Sequence, residues 1–154
     1  MTPRIGDTTK RLDPAECWEF LRRSAVGRLA VIVDHHPEIF PINFVVDGNS
    51  LVFRTEAGTK FWGALQDPCA LEVDGYGPPA GTAWSVMVKG QAVHVEGQDE
   101  KTRIDKLKLN PWQPGSKEIY LRVNPTSLTG RHFRTTLPDV WDTPSWDART
   151  ELFR

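Results

Sequence analysis

Two cations bracket a single glycine turn in this chain. Arg54 and Thr55 close an apolar run, and Gly58, Thr59 and Lys60 follow at once, ahead of a short helical pattern. Backbone N–H groups at a helix start, joined by a guanidinium and an ammonium, make a site for a phosphate. The plainer alternative is a solvated turn carrying two surface cations. Two other segments carry polar groups inside apolar runs. Pro41-Ile42-Asn43-Phe44 is a strand pattern interrupted by a proline, which cannot donate to a sheet ladder and so marks an edge or a break. Trp84-Ser85-Val86 opens the longest strand pattern, although a single tryptophan is more often core than ligand contact.

Other chemistries find no support. Gly75-Tyr76-Gly77-Pro78-Pro79-Ala80 has the letters of a dinucleotide-binding turn, but that motif must open a helix, and here two prolines lead into a strand pattern. Gly58-Thr59-Lys60 resembles the tail of a P-loop, yet Phe53 stands where the first glycine belongs, which rules out a wrapped triphosphate and leaves room for one phosphate. His35, His36, His94 and His132 show no metal-ligand spacing, and no metal site is expected. A Gly-x-Ser-x-Gly elbow is absent.

The elements that must position these residues follow from periodicity. Asp13, Pro14 and Glu16 form a helix start with a capping box, Cys17, Phe20, Leu21 and Ser24 continue it, and Gly27 is read as its end. Leu29–Val33, Ile39–Val46 and Leu51–Thr55 read as an antiparallel meander, turned at 34–37 and at Asp47-Gly48-Asn49-Ser50. A short helix over 61–66, a strand over 70–74 and a long strand over 82–96 come next. In that long strand Trp84, Val86 and Val88 share one parity and Val93 and Val95 the other, which predicts a bulge or bend with a face switch at Gly90. A helix over 98–109 and strands over 118–123 and 128–133 complete a domain spanning 1–134. Residues 135–154, with Trp141, Trp146 and Phe153, read as an extended tail packed on the barrel or on a partner. The whole is mainly β with peripheral helices (α+β), an antiparallel barrel of about seven strands.

Bulk properties bound the partners. The chain has 154 residues, with 19 Lys+Arg against 20 Asp+Glu, a balance without the basic excess of nucleic-acid binders. Residues 1–10 contain no apolar run and the apolar stretches are strand-length, so neither a signal peptide nor a membrane span is expected, and a cytoplasmic protein is. Cys17 and Cys69 are then reduced thiols.

Taken in order, Val26-Gly27-Arg28-Leu29-Ala30, Pro41-Ile42-Asn43-Phe44-Val45-Val46-Asp47-Gly48, Leu51-Val52-Phe53-Arg54-Thr55, Gly58-Thr59-Lys60 and Gly81-Thr82-Ala83-Trp84-Ser85-Val86 with Gly90 resemble the flavoproteins of the pyridoxamine 5'-phosphate oxidase-like split-barrel family. The resemblance covers roughly Asp13 to Arg131. It implies a dimeric split barrel with flavin mononucleotide (FMN) between subunits and an oxidoreductase acting on a small organic molecule. It implies that Arg54 and Lys60 hold the phosphate, with Thr55, Gly58 and Thr59 bonding phosphate or ribityl. Pro41, Asn43 and Phe44 would line the ring edge, and Trp84 and Ser85 would contact ring or phosphate. The Arg-x-Leu-His-Asp-Arg segment that grips the oxidase's own substrate is missing, and Arg131-His132 stand merely adjacent, so pyridoxamine phosphate is not the implied substrate. A deazaflavin, or a non-catalytic flavin or haem binder, are the alternatives.

Overall fold

The computed structural model describes residues 9–107 and 119–135, leaving the side chain of Lys60 outside that description. The expected tail, with Trp141, Trp146 and Phe153, and Leu109 of the third helix also lie outside the described residues. Among the described residues, seven strands and three helices follow in the order β1 (Thr9–Arg11), α1 (Pro14–Arg22), β2 (Val26–Val33), β3 (His36–Asp47), β4 (Ser50–Thr55), α2 (Thr59–Gln66), β5 (Cys69–Tyr76), β6 (Thr82–Val95), α3 (Gln98–Asp105) and β7 (Ile119–Arg134). All pairings are antiparallel. The sheet order β1-β7-β4-β3-β2-β5-β6 is closed by pairing of β6 with β7, so six strands form a ring and β1 rides outside it on β7. This is the antiparallel split-barrel fold expected from the sequence.

The meander β2-β3-β4 turns where turn chemistry dictates. Asp34 and His35 both take positive φ (49° and 64°), as the two central residues of a type I′ hairpin must, and Gly48 takes φ 59° in the next turn. Alternation then sorts side chains. Leu29, Val31, Ile42, Phe44, Leu51, Phe53, Leu71, Val73, Val86, Val88, Leu121 and Val123 point inward and form the main core. Helix α1 adds Cys17 and Leu21, and α2 adds Phe61 and Ala64. Because α1 packs on β3, β6 and β7 and α2 on β2 and β6, each helix crosses between non-adjacent strands and covers an opening of the ring. A smaller cluster, Val52, Val95, Ile104 and Tyr120, lies on the opposite side of the sheet beneath α3.

Three expectations need correction. Helix α1 ends at Arg22, capped by Arg23; Gly27 is a buried residue of β2, where an added Cβ would stand 2.9 Å from Leu71 Cδ1. The segments expected as two strands around Pro125 are one 16-residue strand, β7, and the expected bulge is on β7 rather than β6. Lys89 faces Ser127 while Gly90 faces Pro125, so Thr126 is the extra residue. The parity switch therefore occurs along β7, from Leu121 and Val123 to Leu128 and Gly130. Strand β6 keeps its phase through Ala92, Val95 joins the second cluster, and Val93 is 41% exposed. Gly90 remains essential to the bend, because a Cβ there would lie 2.2 Å from the Asn124 carbonyl oxygen. Finally, β1 escaped a periodicity reading because its three residues are all exposed.

Candidate functional site

Among the described residues three helices start in different ways, and one of these starts suits an anion. At α1, Asp13 accepts from the Glu16 N–H at 2.9 Å and Glu16 accepts from the Asp13 N–H at 2.9 Å, so a full capping box consumes the leading donors and sets two carboxylates there. At α3, Gly97 gives no side-chain cap, but Asp99 and Glu100 fill the first turn with negative charge. At α2, Gly58 is the N-cap, no side chain caps the helix and the first turn has no acid. The first intrahelical bond runs from Trp62 N–H to Gly58 O, which leaves the preceding N–H groups as the positive end of the helix dipole. Gly58 and Thr59 are exposed.

Arg54 stands four residues before that turn, on β4. Its parity is that of Val52, so it lies on the outer face of the barrel, half-buried, with its guanidinium carbon 5.2 Å from the centre of the Tyr120 ring. Asn43 and Pro41 of β3 share this outer face. Asn43 Nδ2 donates to Ala25 O at 3.4 Å. The Phe44 N–H donates to Ala25 O, so by alternation the nitrogen of Pro41 faces away from β2. On that side the β4 pairing has already ended at Phe44–Phe53. Pro41 thus interrupts no ladder, and the first half of β3 is an edge, as the proline suggests.

Not every predicted residue offers its side chain. Phe44 (4% exposed), Thr55 (2%) and Trp84 (8%) point into the barrel. The Thr55 hydroxyl donates to Glu56 O at 3.2 Å, and Trp84 stacks on Phe20 with ring centres 4.5 Å apart. Their contribution to any outer-face ligand is confined to backbone groups. Ser85 lies on the outer face, opposite Asp74 and Arg131. Asn43 faces Val26 across β3 and β2, and Asp74 faces Ser85 across β5 and β6. By the shorter way round the ring, Arg54 faces Tyr120 of β7 and Tyr120 faces Val95 of β6, which lies ten residues along that strand from Ser85. Arg54, Asn43 and Pro41 thus share the outer face of the neighbouring strands β4 and β3, and Gly58 follows Arg54 by four residues in the chain.

Two ionic clusters on the outer face had no sequence signal, because their members are far apart in the chain and unremarkable singly. Arg28 bridges Glu72 at 2.8 Å and Asp74 at 3.2 Å across β2 and β5, beside Pro41 in the β2–β3 register. Burial and the neighbouring Asp74 push the Glu72 carboxyl above its ordinary range against the pull of Arg28. The second cluster ties α3 down. Arg103 forks onto both Asp47 oxygens at 2.7 Å, and Arg122 bridges Asp47 at 2.8 Å and Glu100 at 2.7 Å. The hydrogen bonds from Arg103, aided by Arg122, hold Asp47 down at about 2. Tyr120 also escaped notice: it reads as one more apolar strand residue, yet it lies under Arg54 and its hydroxyl donates to Asp105. The dinucleotide-like glycines at 75 and 77 end β5 and turn into β6 with no helix behind them. His132 Nε2 is buried against Phe20 with no hydrogen-bond partner among the described residues, on a cleft of about 180 Å³ that Lys10, Glu16 and Arg23 also line.

Comparison with known proteins extends the geometry. The sequence profile described as pyridoxamine 5'-phosphate oxidase matches residues 13–132. A Corynebacterium glutamicum structure, provisionally described as a pyridoxamine 5'-phosphate oxidase, is 33% identical, with 84% of this chain and 96% of that one covered and a TM-score of 0.73. The FAD binding protein from Mycobacterium smegmatis is 34% identical over 82% of this chain and 99% of its own, with a TM-score of 0.69. The uncharacterized protein Rv0080 of Mycobacterium tuberculosis is 27% identical over 135 residues, which is 84% of this chain and 88% of the relative.

Proposed function

The chain belongs to the pyridoxamine 5'-phosphate oxidase family, and on that premise we propose that it is a flavin-binding protein that holds FMN by its phosphate at the start of α2 and uses it to oxidise or reduce a small organic molecule. The observation that carries this reading is the α2 start: an uncapped, acid-free helix end with Arg54 four residues upstream. A dianionic phosphate meets backbone donors and a helix dipole there, and Arg54 and Lys60 supply compensating charge. Thr59 and Gly58 contribute N–H or hydroxyl donors, Asn43 an amide, and Pro41 an apolar edge without a competing N–H. Phe44, Thr55 and Trp84 act through backbone and by keeping the wall rigid. A bound flavin supplies the hydride and electron chemistry, and the protein's share is to bind, orient and shield it. The FAD binding relative supports a flavin and adds FAD as a ligand to compare with FMN.

The reading includes a second copy of the chain. Ser85 lies ten residues along β6 from Val95, the residue level with Arg54 across β7, and in this reading it reaches the ligand from a partner. Near the β2–β3 hairpin the outer face exposes Ile39 (68%) and Ile32 (39%), an apolar surface that a homodimer would cover. A deazaflavin presents a phosphate to the same groups and is the alternative cofactor. Haem is the weaker alternative, because the cleft at His132, about 180 Å³, falls below the roughly 300 Å³ at which ligand pockets begin.

Titration of the apo-protein with riboflavin, FMN, FAD and a deazaflavin tests the proposal. FMN or FAD should bind well ahead of riboflavin, which lacks the phosphate, and sedimentation should give a dimer. Equal affinity for riboflavin and FMN would remove the phosphate site, and tighter deazaflavin binding would replace the cofactor.

A further inference from the structure

We infer that Tyr120 is a positioning residue for Arg54, fixing the guanidinium so that the turn before α2 grips phosphate with a preset cation. The inference rests on the phosphate reading above.

The two residues face each other in the β4–β7 register. Arg54 lies over the Tyr120 ring at 5.2 Å, inside the roughly 6 Å range of a cation–π contact. The ring itself cannot wander. Tyr120 is 5% exposed and packed with Val52, Val95 and Ile104. Its hydroxyl donates to Asp105, the last residue of α3. Donation to a carboxylate leaves the ring richer in electrons, which strengthens its attraction for a cation. Burial, with Asp105 second, raises the phenol's pKa, so the hydroxyl stays protonated and donating at neutral pH. Helix α3 is in turn clamped through Arg103 and Glu100 to Asp47 and Arg122. A chain of fixed groups thus runs from the hairpin at Asp47 through α3 to the Tyr120 ring and Arg54.

Arginine has many rotors, and ordering them upon ligand binding costs affinity. A guanidinium already settled on a rigid ring avoids part of that cost. A guanidinium grips phosphate oxygens in a fork through N–H groups in its own plane, so a contact that restrains its rotors favours that grip.

The readout is the ratio of FMN to riboflavin affinity, which isolates the phosphate from the ring. Tyr120→Leu should reduce that ratio about 2- to 30-fold, the span of a cation–π contact, and leave riboflavin affinity unchanged. Tyr120→Phe should keep most of the ratio. Phenylalanines at position 120 with one, two and three ring fluorines keep the shape while draining the ring of electrons, so the ratio should fall stepwise along that series. If Tyr120→Leu does not fold, the fluorinated series decides. A flat ratio across the series, with Arg54→Ala still collapsing it, overturns the role of Tyr120 and leaves the phosphate site standing. A wild-type ratio in Arg54→Ala overturns both.

Discussion

Helices α1 and α2 begin within the same small barrel and in opposite ways. The start of α1 is closed on itself: Asp13 and Glu16 exchange backbone bonds, and Lys10 adds an ion pair to Glu16 at 2.6 Å. The start of α2 has a glycine cap with no side-chain bond and no acid in its first turn. One end is finished by the sequence, and the other is left for something else to finish. The contrast teaches that capping is a choice between stability and binding. A helix whose leading N–H groups are satisfied internally gains about 1 kcal/mol, and one that forgoes this keeps a positive end for an anion.

The comparison can be broken or sharpened by substitution. The largest effect is expected at α2, where Arg54→Ala or Lys60→Ala should weaken FMN binding by about 1.5–3 kcal/mol each, the range for hydrogen bonds to charged groups. Calorimetry should show riboflavin affinity nearly unchanged; an unchanged FMN affinity in both variants would mean the phosphate lies elsewhere. At α1, Asp13→Ala should cost about 1 kcal/mol of stability and lower Tm by about 2–4 °C, with no change in flavin affinity. Loss of flavin from that variant would show that the two helix ends are not independent. Closing the open end should produce the reverse pattern. Gly58 has an extended backbone (φ 176°), and a Cβ there would meet nothing within 4 Å, so Gly58→Asp is sterically free. It should raise thermal stability by only a few tenths of a kcal/mol while weakening FMN, and a variant that binds FMN more tightly would refute the contrast.

The smallest effect is a pH response confined to α1. Hydrogen bonding to Lys10, then to the Asp13 N–H, lowers the Glu16 carboxyl below its ordinary 4.5. A depressed carboxyl stabilises the folded state above its unfolded pKa and loses that contribution as pH falls through the folded value. Relative to its intrinsic rate at each pH, amide exchange in the first turn of α1 should therefore quicken below pH 4.5, while α2, with no acid in its first turn, does not follow. Parallel acceleration in both helices would assign the change to the barrel as a whole.

The sequence carried the local features of this fold and missed those made by distant parts of the chain. Asp13-Pro14 with Glu16, the turn at Gly48 and the meander of β2 to β4 are written in neighbouring residues, and the structure has all three. The Gly90 bend was legible because a glycine in a long strand must answer to a close neighbour, but which strand bulges depends on Thr126, far along the chain. The pair Arg54–Tyr120 and the clamp of Asp47, Arg103, Glu100 and Arg122 required the register of β4 with β7, which no window of sequence contains. Facing was not legible at every site residue: Phe44, Thr55 and Trp84 turn into the barrel. Ser85 and Trp84 are adjacent in sequence and opposite in the sheet, and a one-residue difference decides which can meet a ligand.

Strand β1 pairs with the last residues of β7, Thr9 with Phe133 and Arg11 with Arg131. The described chain therefore enters and leaves by the same edge. A force applied to those two points pulls the pair apart from its open end, one bond after another, instead of shearing all bonds together. The barrel would shed β1 as a small early rip in a single-molecule trace, well before the ring of six strands gave way.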